Sequence, residues 1–154
     1  SGQPAGVATI AADADVTGSG EIGYADVVNL ETVVSTADAD VGSLAYITNP
    51  AVRGSLKTEL IAEGAPMVVW QTGANGVGLV NGYNAYVTSV LTGTKMFFGN
   101  WADLIVAIFA PGLDVTVDPY TGAKNRVVSL ICYLDVDCGV RHSASFALLD
   151  GSVS

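Results

Sequence analysis

The spacing of apolar residues predicts helices in the first part of the chain. Apolar positions recur at helical spacing over residues 24–37, which predicts an amphipathic helix there. A compact apolar run at Leu44–Thr48 predicts a short buried strand. Asn49 followed by Pro50 predicts the start of a second helix, because Asn caps free amides and Pro suits the first turn. We expect that helix to reach about Leu60.

Beyond residue 66 the pattern changes to short β-rich runs separated by Gly, Asn and Thr. Such runs lie at residues 67–70, 83–89, 95–98 and 103–109. Strict alternation over residues 113–117 predicts a strand with one solvated face. A turn at 119–122 and a long strand at 126–140 complete a predicted hairpin, and 144–149 form a last strand. With Val7–Ile10 as a short extended segment near the start, the fold class is α+β with a mostly antiparallel sheet.

Composition adds an excess of apolar surface to this picture. Half of the residues are apolar and the mean hydropathy is +0.46. The longest apolar run, residues 104–110, is far shorter than the roughly 20 residues that a membrane-spanning helix needs. With no leader-like start either, we expect no membrane partner and a protein that is not secreted. The apolar surplus is expected to enter a core or contacts with other chains.

The charge distribution argues against nucleic-acid binding. The net charge is −9, and residues 1–52 contain seven acidic residues and no Lys or Arg. A protein that binds duplex DNA needs a basic face to neutralise phosphates. We therefore expect no sequence-specific nucleic-acid partner, although a protein that only encloses DNA needs no such face.

The two cysteines give little chemistry. Cys132 ends an apolar run and is expected to be buried as a small hydrophobe. Cys138 lies six residues further on, which corresponds to about 20 Å on a strand and is beyond disulfide reach. We predict two reduced thiols.

Three motifs with possible chemistry fail on their context. Residues 18–23 match GxGxxG, but no strand leads into them, so a flexible acidic loop is the better interpretation than a dinucleotide site. Asp13 and Asp15 resemble the start of a calcium loop whose twelfth position is Tyr24 in place of Glu. His142 has no nucleophile or orienting acid at a recognisable spacing. We predict no catalytic, cofactor or metal site.

The large aromatic residues are predicted to belong to the core. Trp70, Phe97, Phe98, Trp101 and Phe109 fall on strand-like runs. They could line a ligand pocket, but core packing is the simpler interpretation. Trp101, at a tight turn, is expected to be a buried anchor.

Five segments, in order, resemble the major capsid proteins of tailed bacteriophages. They are the strand-to-helix passage at 45–57, a Gly-Tyr stretch at 79–89, the Phe-Gly-Asn-Trp segment at 98–104, the Leu-Asp-Val-Thr-Val-Asp-Pro-Tyr-Thr segment at 113–121 and a Val-Arg-His segment at 137–146. Departures from the family's pattern are mild: Asn84 and Ala85 replace Pro-Val, Asn100 replaces Asp, and Ser143 replaces Pro. The resemblance covers about residues 4–149.

The resemblance implies the Hong Kong 97-type capsid fold. Residues 1–111 would form mostly the axial domain, 112–143 the β-hairpin of the peripheral domain, and 144–154 a closing strand and tail. Residues 3–6 resemble the stretch after the family's long spine helix, so the chain is expected to be a C-terminal portion without that helix, the N-terminal arm or the extended loop. Tyr133 stands where some relatives carry the Glu that promotes an isopeptide bond, so no such bond is expected.

The implied function is that of a structural subunit, not an enzyme. The subunit would assemble with itself into pentamers and hexamers that enclose viral DNA, beside other phage structural proteins, in the bacterial cytoplasm and then in the virion. The hairpin tip is the candidate contact loop between subunits: Asp118, Pro119, Tyr120, Lys124, Asn125 and Arg126. An encapsulin-like compartment shell is the alternative, and a small nucleotide-binding or hydrolytic domain is a further one.

Overall fold

The computed structural model describes residues 6–10, 15–73 and 75–152. These residues form a seven-stranded sheet, helices packed on it, and a separate two-stranded hairpin. The elements are α1 (Val7–Ile10), β1 (Asp15–Glu21), α2 (Tyr24–Thr36), β2 (Leu44–Thr48), α3 (Pro50–Thr58), β3 (Gln71–Thr72), β4 (Gly78–Val80), β5 (Tyr83–Val87), β6 (Thr94–Asn100), β7 (Leu104–Asp118), β8 (Ser129–Val140) and β9 (Phe146–Ser152). The predicted α+β class is confirmed.

The large sheet mixes parallel and antiparallel pairs. Its strand order is β1-β9-β6-β2-β5-β4-β3. β1 pairs with β9, and β2 with β5, in parallel, whereas the other neighbours are antiparallel. The last strand, β9, is thus inserted between β6 and β1, and the sheet is mostly antiparallel as predicted.

The core lies between the sheet and the two longer helices. Helix α2 buries Val27, Leu30 and Val34, and α3 buries Val52 and Leu56. These five side chains are fully covered. They recur every three or four residues on each helix, as expected for one apolar stripe facing a sheet.

An aromatic cluster forms the centre of this core. The rings of Tyr46 and Phe98 lie 4.4 Å apart, and that of Tyr83 lies 5.3 Å from Phe98. Tyr46 donates its hydroxyl to the Val27 carbonyl at 3.4 Å. Burial raises the pKa of the Tyr46 hydroxyl, which therefore stays protonated and keeps this hydrogen bond.

The start of α3 follows the prediction closely. The Asn49 Oδ1 accepts a hydrogen bond from the Val52 backbone N–H at 2.9 Å, and Pro50 occupies the first turn. The helix ends at Thr58, and the Glu59 N–H still bonds back to the Ser55 carbonyl. Helix α2 carries Asp26 in its first turn. The Asp26 Oδ2 accepts a hydrogen bond from the N–H of Gly23, the residue before the helix, at 3.1 Å.

Three predicted segments differ from the structure. Val7–Ile10 is a single helical turn and not an extended segment. The supposed loop at residues 18–23 is largely strand β1, which pairs with the edge of β9. Residues 67–70 contain only one isolated bridge, between Leu60 and Val68. For β1, pairing with β9 decides the conformation against weak local preferences. The turn at Val7–Ile10 is local, with the Thr9 N–H bonded to the Gly6 carbonyl at 2.9 Å.

The hairpin is longer than predicted. The expected strands at 103–109 and 113–117 are one strand, β7, which pairs with β8 from Leu104 to Asp118 around an irregularity. A 3-10 turn at Trp101–Asp103 connects it to the sheet. The ladder therefore begins eight residues before the predicted start of the hairpin at residue 112.

The burial predictions are confirmed for the sheet and its neighbourhood and are wrong for the hairpin. Trp70, Phe97 and Phe98 are buried as expected. Phe109, predicted to be in the core, is 54% exposed, and Cys132 is also exposed. Trp101 is only partly buried. Both fully misplaced residues lie on the hairpin. The single turn α1 contacts β8, but Phe109 and Cys132 stay exposed. Neither cysteine is in a disulfide, as predicted.

Candidate intersubunit contact site

The register of the hairpin creates one wholly apolar face. Directly opposed residues of an antiparallel pair project to the same side of the ribbon. Six alternate pairs share one side: Leu104–Val140, Val106–Cys138, Ile108–Val136, Leu113–Leu134, Val115–Cys132 and Val117–Leu130. We call these twelve residues the apolar face of the hairpin. All of them are apolar or cysteine, along the whole ladder.

The irregularity in β7 preserves this face. Ile108 opposes Val136 and Leu113 opposes Leu134, so the four residues 109–112 lie opposite the single residue 135. Three extra residues are an odd number, and they shift the alternation of β7 by one position. Gly112 supplies a left-handed conformation there, with φ of 88°. Without this bulge, Asp114 and Thr116 would point to the apolar side.

The opposite side of the distal hairpin is mostly polar, with Ile131 and Tyr133 among its residues. It carries the pairs Asp114–Tyr133, Thr116–Ile131 and Asp118–Ser129. The hairpin is therefore amphipathic, with one side suited to water and one to a covering layer. Leu113 and Leu130, on the apolar face, are nevertheless 64% and 66% exposed. A contiguous exposed apolar surface of this kind usually marks an interaction site.

Asp118 organises the tip of the hairpin. Its Oδ1 accepts backbone N–H groups of Tyr120 at 2.8 Å and Thr121 at 3.2 Å, and its Oδ2 accepts the Thr121 hydroxyl. These three donors hold the pKa of the Asp118 carboxyl below its ordinary value, with the Thr121 hydroxyl contributing most. Pro119 fits the second position of such a turn.

The rest of the tip closes the turn and displays its cations. The Asn125 N–H bonds to the Gly122 carbonyl at 2.9 Å, within the 3-10 turn Ala123–Asn125. Arg126 has a left-handed backbone, with φ of 55°. Lys124 and Arg126 are exposed, and no acidic side chain that the structure describes pairs with either. Tyr120 is 85% exposed.

All six residues of the candidate contact loop thus lie in one exposed turn. Sequence reasoning found this tip but missed the apolar face. The signal was present, because every even-numbered residue from 130 to 140 is apolar or cysteine. Only the length of the bulge, which the sequence does not give, brings residues 113, 115 and 117 to the same side.

A hydrogen-bonded cluster fixes the base of the hairpin to the sheet. Asp103 Oδ2 accepts from the Ser145 hydroxyl at 2.6 Å and from the Asn100 Nδ2 at 3.2 Å. The Asp103 carbonyl accepts from the Arg141 N–H at 2.9 Å. His142 is exposed beside this cluster. The cluster joins β6, β7 and the end of β8, which indicates a structural role.

The other candidate sites gain no support as sites. Residues 18–21 of the GxGxxG match belong to β1 and so form no phosphate-binding loop before a helix. Asp13 lies outside the described residues. No group of three potential metal ligands occurs among the described side chains. In the same part of the chain, no helix has the length and apolarity to span a membrane.

Comparison with known proteins supports one family. The model of the Phage capsid family matches residues 1–151. The major capsid protein of Halomonas phage phiHAP-1 is 27% identical over 152 residues, which cover 99% of this chain and 24% of the relative. The chain therefore spans about a quarter of that relative's length.

Solved structures share the fold at low identity. A protein of Mycobacterium phage Che8 superposes with a TM-score of 0.66 at 9% identity, over 93% of this chain and 55% of that one. An encapsulin complex from Synechococcus elongatus PCC 7942 gives 0.71 at 14%, over 90% and 52%. The capsid of an empty GTA particle gives 0.63 at 19%, over 90% and 49%. The fold is of the Hong Kong 97 type, and the chain belongs to the phage capsid family.

Proposed function

We propose that this chain is the assembly-forming part of a structural subunit of an icosahedral phage capsid. The full-length subunit would form pentamers and hexamers that together enclose viral DNA, and its place would be the virion. We assign the seven-stranded sheet to the axial domain and the hairpin to the peripheral domain. No catalytic role is proposed for any residue.

The observation that carries the proposal is the bare apolar face of the hairpin. A two-stranded hairpin is at best marginally stable alone in water, and stability requires a layer on its apolar side. The ladder nevertheless keeps one apolar side over its whole length, across a bulge that would otherwise break the pattern. Such a face is useful only when another segment of the subunit or a neighbouring subunit covers it. Membership of a capsid family supplies the setting for that contact.

The tip of the hairpin is the second contact that we propose. Lys124 and Arg126 are two of only six basic residues in a chain of net charge −9. Both are displayed at the far end of the ribbon, on a turn that Asp118 keeps ordered. Pairing with acidic residues of a neighbouring capsomer would neutralise charge on both partners and set the register of the contact.

Charge reversal at the tip of the full-length gene product tests this role. Lys124→Glu with Arg126→Glu should leave the melting temperature of the subunit almost unchanged and strongly reduce the yield of closed particles in electron micrographs. Lys124→Arg with Arg126→Lys is the matched control. It keeps both positive charges, and position 126, which has a left-handed backbone, still carries a long basic side chain. A normal particle yield from the reversed variant would remove the tip from the interface.

An encapsulin-like compartment shell is the second candidate, favoured by the fold likeness to the Synechococcus encapsulin. The two functions differ in what the particle contains. Particles purified after nuclease treatment should hold protected DNA if this is a phage capsid, and a co-purified cargo protein if it is a compartment shell. Nucleotides should not raise the melting temperature of the protein under either function, whereas a nucleotide-binding domain would respond.

Direct binding to DNA is not part of the proposed function. Enclosure needs no specific contact, and the chain's net charge of −9 opposes one. We expect no retention of this chain on duplex DNA at physiological salt. Micromolar binding that weakens steeply with salt would contradict the expectation.

A further inference from the structure

A basic depression lies between helix α3 and strands β4 and β5. Its volume is about 320 Å³. Arg53 and Lys57, one helical turn apart on α3, form one wall, while Trp70, Val77 and Val87 contribute apolar lining. Gly78 is necessary here, because a Cβ at that position would lie 2.2 Å from the Trp70 ring. The depression thus combines two cations with an apolar surface.

The two cations in this depression lack counter-charges. Both side chains are exposed, and no acidic side chain among the described residues lies within salt-bridge distance of either. Because Arg53 and Lys57 lie one helical turn apart, they place two positive charges side by side on a chain with fifteen acidic and six basic residues. The surface therefore fits a partner that offers carboxylates together with an apolar side chain.

The loop between α2 and β2, residues 37–43, offers that combination. Asp38 and Asp40 are exposed on it, and Val41, directly after them, is 70% exposed. Asp38 has a left-handed backbone, with φ of 53°, in the turn that follows α2. Two carboxylates and one bare apolar side chain thus project from a single short loop.

The loop and the depression lie at different places along strand β2. The loop precedes Leu44, the first residue of β2, whereas the depression borders residues 85–87 of β5, which pair with Tyr46, Ile47 and Thr48 in the second half of β2. Arg53 follows the end of β2. The absence of an ion pair between the described acids and Arg53 or Lys57 agrees with this separation.

We infer that the depression formed by Arg53, Lys57 and its apolar lining is the docking site for the loop 37–43 of a second copy of this chain. Two different surfaces meet in such a contact, so it is heterologous, and it forms a ring when the rotation between successive copies closes. The carboxylates of Asp38 and Asp40 face the two cations, and Val41 packs against the apolar lining. The biological setting of this contact rests on the proposed capsid function, in which such rings are the capsomers.

The observations favour a protein loop over a polyanion as the occupant. A nucleic acid would bring phosphates for the cations and bases for the lining, but it would meet the repulsive field of a chain with net charge −9. A loop with two carboxylates and one exposed valine brings both chemistries with far fewer negative charges than a nucleic acid. It is also present in every copy.

Charge exchange in the full-length gene product tests the contact. Arg53→Glu with Lys57→Glu should lower the ratio of capsomer to monomer by about tenfold or more in sedimentation velocity, since like charges then face each other. Asp40→Lys with Asp38→Asn should have a similar effect, and Asn keeps the left-handed conformation at position 38. All four changes together should restore assembly. That rescue cannot come from misfolded protein, whereas failure of either pair to affect assembly would overturn the inference.

Cysteine cross-linking separates this inference from the capsid function. Asp40→Cys with Lys57→Cys should give, under mild oxidation, a ladder of linked subunits that ends at a ring, whereas each single variant controls for links through Cys132 and Cys138. Particles without a ladder would overturn the contact and leave the capsid function intact. A ladder without particles would support the contact and remove the capsid function. Binding of heparin that is lost in Arg53→Glu with Lys57→Glu, without a ladder, would overturn the contact in favour of a polyanion.

Discussion

The sheet and the hairpin use the same apolar residue types for different ends. In the seven-stranded sheet, Tyr46 and Phe98 are at most 1% exposed beneath α2 and α3. In the hairpin, Leu113 and Leu130 are more than 60% exposed although they follow an equally regular pattern. Apolar burial stabilises only where a second layer removes the surface from water. The comparison therefore places the buried apolar surface that stabilises the fold in the sheet, and it leaves the apolar face of the hairpin exposed for the association that we propose.

The largest expected difference between the two regions is the loss of stability caused by a cavity in the core of the sheet. Phe98→Ala empties the centre of the aromatic cluster beside Tyr46 and should cost about 3–5 kcal/mol of unfolding free energy in a denaturant titration. Leu130→Ala on the hairpin is the matched control, and it should cost less than about 0.5 kcal/mol, as for a surface residue. Similar losses for both variants would show that the hairpin is covered in solution.

The next effect concerns the joint between the two regions. Asn100 is 8% exposed, and its Oδ1 accepts the N–H groups of Ser43 at 3.0 Å and Ala102 at 3.1 Å. Asn100→Ala leaves both donors without this acceptor and should cost about 2–3 kcal/mol. Asn125→Ala, at the hairpin tip, is the control and should be nearly neutral. Thermal melts of both variants would check the difference.

Trp101 sharpens the boundary between the regions. If Trp101 were fully buried, Trp101→Ala would lower the free energy of unfolding by about 3–5 kcal/mol. In the structure it is partly exposed, its Nε1 donates to the Ala45 carbonyl at 2.9 Å, and its ring meets Phe146 edge-on at 5.3 Å. We therefore expect Trp101→Ala to cost about 1–2 kcal/mol, since only part of the ring's area is lost from burial. A denaturant titration beside Trp101→Phe, which keeps an aromatic ring, separates packing from the lost hydrogen bond.

The comparison also explains which features the sequence predicts. The Asn49–Pro50 helix start and the stripe of α2 are local patterns, and local hydrogen bonds and periodicity reproduce them in the structure. Strand β1 depends on a long-range interaction. Its Gly-rich sequence forms a strand by pairing with β9, more than a hundred residues later. Apolar runs in the sequence predict a buried position for Phe109 and Cys132, but both are exposed, because such runs do not reveal whether another layer covers the strand.

Among the site residues, the tip and the apolar face differ in the same way. The turn at Asp118 and Pro119 follows from residue types that favour turns, so sequence suffices to find it. The apolar face depends on how many residues the bulge at 109–112 inserts, which strand pairing determines. The basic depression depends on contacts between α3, β4 and β5 and has no signal in sequence beyond the helical spacing of Arg53 and Lys57.

The next prediction concerns weak self-association of the 154-residue chain through the apolar face of the hairpin, which changes less than the stabilities above. Leu113→Thr with Leu130→Thr introduces β-branched, polar side chains that suit a strand and removes apolar area from the apolar face of the hairpin. We expect unchanged thermal melting and less self-association in light scattering at high concentration. Ile131→Thr, on the opposite side of the ribbon, is the control and should leave self-association unchanged. Equal effects at both sides would contradict a one-sided contact surface.

The smallest effect is a local one, at the tip, and it should be independent of the core. Because hydrogen bonds to Asp118 hold its pKa below the ordinary value, the ordered turn is stabilised above the pKa of the unfolded chain and loses that stabilisation as the pH falls through the folded pKa. The Thr121 hydroxyl is the main cause, so Thr121→Val should raise the midpoint of the Asp118 carboxyl in an NMR titration towards its ordinary value. Thr116→Val, two residues before Asp118 on β7, has no hydroxyl bond to remove from it and should leave the midpoint unchanged. The amide signals of Tyr120 and Thr121 should move with the same midpoint, while those of the buried sheet residues should not. An Asp118 midpoint that ignores Thr121→Val would show that the turn does not persist in solution, and the tip could then not present Lys124 and Arg126 in a fixed geometry.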